Sequence, residues 1–114
     1  EVEHFESDRN IQESGVDIAF RNPMWARPYT ADVKTNIDQY GSFYIETGPR
    51  DWLFNPMKKS DRIWHCNPTT RWMAWYGREE MQRYIRDIGK FNTGLYKITV
   101  RDKMSFITRR KANA

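Results

Sequence analysis

His65 and Cys66 are the one adjacent pair in this chain with nucleophilic potential. A cysteine–histidine nucleophile needs an imidazole beside the thiol in space, with a third group to orient it. Neighbouring residues in extended chain point to opposite faces, so adjacency does not make them partners. Asp61 lies four residues before His65 and would orient it only within a helix, which Pro68 and the missing helical period argue against. The other histidine, His4, stands in an acidic stretch. The expectation is a half-buried thiol beside a polar histidine, with no catalytic residue.

Two histidines and one cysteine are too few for a converging Cys/His metal site, so no metal is expected. Glu79-Glu80 has the chemistry for acid–base work. The start of a helix explains the pair better, because its dipole favours negative charge and Glu79 stands four residues before Arg83. Neither glycine-rich phosphate motif occurs, and no cofactor is expected.

The elements that position these residues centre on Arg71 to Asp102. Arg71-Trp72-Met73-Ala74-Trp75-Tyr76, closed by Gly77, reads as a strand with Trp72, Ala74 and Tyr76 on one face and Met73 and Trp75 on the other. Such a strand is covered on both sides, by its own domain or by a partner. Met81, Tyr84, Ile85 and Ile88 then recur at helical spacing, and Gly89 is placed to stop the helix. Leu95 to Asp102 alternates, with Tyr96, Ile98 and Val100 on the buried face and Lys97, Thr99 and Arg101 on the wet one. This strand–helix–strand spacing allows a parallel pair with a crossover, or antiparallel pairing through another strand.

Upstream, residues 1–15 read as an acidic arm and Val16 to Phe20 as a short strand. Thr30 to about Tyr40 reads as a helix capped by Thr30, with Asp32 in the first turn and Val33 and Ile37 four apart. Phe43-Tyr44-Ile45 reads as a strand. Residues 49–70 show no period and are broken by Pro49, Pro56 and Pro68, so they are expected to be irregular. Residues 104–114 read as a mobile basic tail. The fold expected is a small α+β domain over residues 16–103, with strand–helix–strand at 71–102, a second strand/helix region at 16–48, and irregular arms.

At 114 residues the chain has room for one domain. No apolar run approaches the roughly 18 residues that cross a bilayer, and a single cysteine excludes an internal disulfide. Residues 1–57 carry five Lys/Arg against ten Asp/Glu, and residues 58–114 carry fourteen against five. An acidic front and a basic rear speak to partners. The leading Glu fits either a removed presequence or a truncation. Five Trp, six Tyr and six Phe form a heavy aromatic load for this length, and such side chains serve interfaces as well as cores.

For nucleic acid, Arg71, Lys97, Arg101, Lys103, Arg109, Arg110 and Lys111 supply positive charge, and Trp72, Trp75 and Tyr76 supply rings for stacking. The net charge of +4 is modest for that role. Gly41 to Ile45 has the glycine–aromatic order of RNA-recognition strands but lacks their leading basic residue, and no family is assigned. Phe106 and Ile107 beside Arg109-Arg110-Lys111 suit auxiliary contact with anionic lipid.

In size, aromatic load, single cysteine and proline-broken segments, the chain is similar in character to accessory subunits of respiratory-chain complexes and organellar ribosomes. The function expected is a non-catalytic structural subunit of a mitochondrial, inner-membrane-associated complex of respiratory-chain or ATP synthase type. The alternative is an RNA-contacting protein such as a mitochondrial ribosomal subunit. Trp52, Trp64, Trp72, Trp75, Arg109, Arg110 and Lys111 are the expected partner-binding residues.

Overall fold

The computed structural model describes the backbone of residues 2–4 and residues 18–24, 26–102 and 104–112. Most of the acidic arm, Val16, Asp17 and Lys103 lie outside them. Eight strands and one helix occur among the described residues: β1 (Val2–His4), β2 (Ile18–Phe20), β3 (Tyr29–Lys34), β4 (Phe43–Glu46), β5 (Arg62–Cys66), β6 (Trp72–Gly77), α1 (Arg78–Asp87), β7 (Leu95–Ile98) and β8 (Thr108–Lys111). The domain is mostly sheet.

Six strands form one sheet in the order β1-β2-β3-β5-β6-β8, and β4 pairs with β7 in a second, two-stranded sheet. In the large sheet β3 and β5 are parallel and the other neighbours antiparallel. β6, α1 and β7 follow one another in the chain, but β6 and β7 lie in different sheets. They pair neither in parallel nor through an intervening strand.

The inner face of the large sheet carries Ile63 and His65 from β5 and Ala74 and Tyr76 from β6, all buried. Phe43 and Ile45 of β4, Ile98 of β7, Met81 and Ile85 of α1, and Leu53 and Phe54 from the intervening loop join Ile63, Ala74 and Tyr76 in one apolar cluster. Each such side chain taken fully out of water contributes about 1.5–3 kcal/mol. Tyr84 packs partly against the cluster, while Ile88 is exposed beyond the helix end. Gly89 follows at φ 72°, the left-handed conformation that suits a helix stop.

Four segments depart from the sequence expectation, the first being Val2–His4 of the acidic arm, which pairs with β2 as strand β1. Thr30 to Lys34 lies in strand β3, not in a helix. Thr30 does not cap; its N–H and hydroxyl both donate to Asp61 Oδ2, at 2.8 and 3.1 Å. Pairing with β2 on one side and β5 on the other outweighs the local cap pattern. The stretch at 49–70 contains β5, a central strand. Residues 108–111, expected in a mobile tail, pair with β6 as strand β8, and Phe106 and Ile107 pack against the core.

Candidate functional site

Strand alternation decides the fate of the reactive pair. His65 faces the core and is fully buried, while Cys66 is in register with Met73 on the opposite face. The imidazole is taken up by a closed network. Its Nδ1 meets Asn36 Oδ1 and its Nε2 meets Tyr76 Oη at 2.6 Å. The Asn36 amide nitrogen donates to the Tyr44 carbonyl, so Asn36 turns its oxygen toward His65. Nδ1 therefore carries the proton and Nε2 accepts from Tyr76. Phe43 stacks on the ring at 4.2 Å between centroids. Burial, with the Lys34 charge adding to it, pushes the His65 pKa down to about 3. Burial also raises the Cys66 thiol. A neutral buried imidazole and a protonated thiol on opposite sides of a sheet do not make a nucleophile.

The expected partner-binding residues divide between the two faces. Trp72 packs against the core and donates Nε1–H to the Gln39 carbonyl at 2.9 Å. Trp52 sits edge-on to His65, and its ring lies 5.2 Å from Lys34 Nζ. Arg109 donates to the carbonyls of Asp102 and Thr99 at 2.8 and 2.6 Å. These three are tied into the fold. Lys111 is exposed at the end of β8.

Trp64, Trp75 and Arg110 come together on the outer face. Trp64 and Trp75 are cross-strand partners, and their rings stack at 4.6 Å with an interplanar angle of 11°. The Arg110 guanidinium lies 5.6 Å from the Trp75 ring on one side, and Phe20 stacks 5.7 Å from Trp64 on the other. The result is an aromatic column across the sheet, half-buried at Phe20, Trp64 and Trp75 and capped by a cation.

Beside this column, at the start of α1, opens a cavity of about 760 Å³. Trp75, Tyr29 and Phe106 give it ring walls, and Lys59, Arg62 and Arg83 lie along its lining. The Arg62 guanidinium stands 4.9 Å from the Tyr29 ring. At the base, Arg78 is buried although it is the first residue of the helix. It donates to the carbonyls of Trp52, Leu53 and Ser60 and to the Ser60 hydroxyl. Burial lowers its pKa, with Asp32 opposing; a guanidinium stays charged regardless. Arg27 grips Asp61 with both terminal nitrogens, at 2.8 and 2.7 Å. Burial works to raise the Asp61 carboxyl, but the hydrogen bonds from Arg27 and Thr30 outweigh it and hold the group below its usual range.

Sequence reading missed Phe20, Tyr29, Lys59, Arg62 and Arg83. The alternation Arg62, Trp64, Cys66 against Ile63, His65 was the available signal, hidden because a buried histidine breaks the apolar pattern. Comparison with protein-family models, with curated proteins and with solved structures gives no match. Among the described residues, no group of three His, Cys, Asp or Glu side chains is placed to hold a metal ion.

Proposed function

We propose that this chain is a non-catalytic accessory subunit of a large multisubunit assembly, held by protein contacts on the outer face of its six-stranded sheet. The observation that carries the reading is the Trp64–Trp75 stack, half-exposed and flanked by Phe20 and Arg110. Rigid aromatic groups beside an arginine give contact area at low entropic cost, and such residues dominate protein interfaces. The separation of His65 from Cys66 supports the non-catalytic part. The host in this proposal is a mitochondrial, inner-membrane-associated complex of respiratory-chain or ATP synthase type, chosen on aromatic load and the acidic-front, basic-rear division. No helix among the described residues is long and apolar enough to cross a membrane, so attachment in this reading runs through partner subunits.

An RNA-contacting role is the second reading, favoured by the basic rear half. Base stacking needs an open ring face. Tyr76 is buried, Trp72 packs on the core, and the faces of Trp75 lie between Trp64 and Arg110. That arrangement favours a protein partner over nucleic acid.

The test is size fractionation of a gentle detergent extract of the native source, with and without ribonuclease, tracking wild-type chain and Trp75→Glu. The expected result is a large particle unmoved by ribonuclease, from which Trp75→Glu is released with its circular dichroism unchanged. A ribonuclease-dependent shift transfers the reading to RNA. A lone species near 13.8 kDa overturns both.

A further inference from the structure

The cavity at the start of α1 is positive once its internal pairs are accounted for. Arg27 and Asp61 answer each other, and Arg78 is held by loop carbonyls and Ser60. The remaining charged lining residues are Lys59, Arg62 and Arg83 against Glu79 and Glu80, all five exposed, with the half-buried Lys58 beside them, so cations outnumber carboxylates. The ring walls of Trp75, Tyr29 and Phe106 add apolar surface.

We propose that this cavity seats an acidic, extended peptide segment of a partner subunit, with an apolar side chain against the edge of Trp75 and carboxylates toward Lys59, Arg62 and Arg83. This deepens the accessory-subunit reading and rests on it, since Trp75 belongs to both surfaces. Charge complementarity selects the occupant. A phosphate would take the backbone N–H groups at a helix N-terminus, but Glu79 and Glu80 make that turn acidic. A Glu80 carboxylate oxygen also lies 2.8 Å from where a side chain on Gly77 would begin, folded back over the cap. A concentrated dianion is repelled there. Single carboxylates spaced along a strand reach the separate cations on the lining, and the rings accept the side chains between them.

The purified full chain is titrated with a labelled peptide alternating Glu and Leu, with an oligouridylate of the same net charge, and with a Lys–Leu control. The expected result is binding of the Glu–Leu peptide that weakens with added salt, with weaker binding of the oligouridylate and none of the control. Arg62→Glu and Lys59→Glu, both at exposed positions, should each lower the affinity roughly tenfold, equivalent to about 1.4 kcal/mol. Arg83→Glu, on the exposed side of α1, provides an independent charge reversal and should act in the same direction. Tighter binding of the oligouridylate overturns the proposal in favour of nucleic acid. Absence of binding, or wild-type affinity in all three variants, overturns it outright. If the peptide fails while the chain still runs in a ribonuclease-resistant particle, this seat falls and the accessory-subunit reading stands.

Discussion

The Tyr76 hydroxyl donates to His65 Nε2 at 2.6 Å, and neither residue is open to solvent. This bond ties neighbouring strands β5 and β6, and Asn36 carries it on to the Tyr44 carbonyl of β4 in the other sheet. Protonating His65 would place a charge in the core beside Lys34, with the Tyr76 hydroxyl turned from donor to acceptor. Its folded pKa of about 3 lies below the ordinary histidine value of 6.5. Between those values the unfolded chain binds the extra proton and the folded chain does not. Stability from this group is therefore complete above about pH 6.5 and falls as pH drops toward 3, by at most about 1.4 kcal/mol per pH unit. Urea denaturation of wild type and His65→Gln across that window checks this. The gap between the two should narrow steadily on acidification; a constant gap would show that His65 does not titrate on unfolding.

Tyr76→Phe keeps the ring and removes the donor. His65 Nε2 is then a buried acceptor with its partner lost, which costs about 1–3 kcal/mol. Denaturant midpoints should fall with an unchanged slope, because the core is otherwise filled.

Arg78 fixes the loop before β5. One guanidinium satisfies three carbonyls and a hydroxyl on residues 52–60. Lysine offers a compact ammonium in place of a planar fork. Arg78→Lys should leave buried carbonyls unpaired and destabilise by about 3 kcal/mol or more. Limited proteolysis should then cut within 49–61 before the rest of the domain, where the wild-type loop resists.

The legible elements had patterns that neighbours did not need to correct. Met81 and Ile85 mark the helix face, Phe43 and Ile45 face inward from β4, and the Trp72–Tyr76 alternation is the alternation observed. The strand at Tyr29–Lys34 was hidden because Thr30, Asp32 and Val33 carry good capping signals. Asp61, far away in sequence, took Thr30 for itself. β5 was hidden because its inward residues are Ile63 and His65, and a histidine reads as polar until Asn36 and Tyr76 satisfy both ring nitrogens. Of the expected contact residues, Trp64, Trp75 and Arg110 share a surface. Trp72 and Arg109 turn inward by the same alternation, which needed a register that residue types alone do not set.

Gly41 shows how tightly the core closes around one turn. It sits at φ 78°, and an added Cβ would lie 2.9 Å from Val100 Cγ2 and 3.1 Å from the Trp72 ring. Gly41→Ala therefore combines left-handed strain with overpacking against two side chains. The expected loss is about 2–4 kcal/mol, read as a lowered melting temperature.

β8 separates a structural strand from a tail. It gives β6 its outer neighbour, places Arg110 over Trp75, and anchors Arg109 on the carbonyls of Thr99 and Asp102. Edge strands rich in Arg and Lys resist pairing with other chains, so the basic character suits the edge as well as any partner. Ending the chain after Ile107 would expose one side of β6 and leave two carbonyls without their donor. The expected outcome is a loss of about 3 kcal/mol or more and a broadened melt. Arg110→Ala alone removes one exposed cation–π contact and should cost about 0.5–1 kcal/mol. Urea unfolding of both variants decides between strand and tail. Equal stability of the truncated and full chains would mean that residues 108–111 add nothing to the sheet.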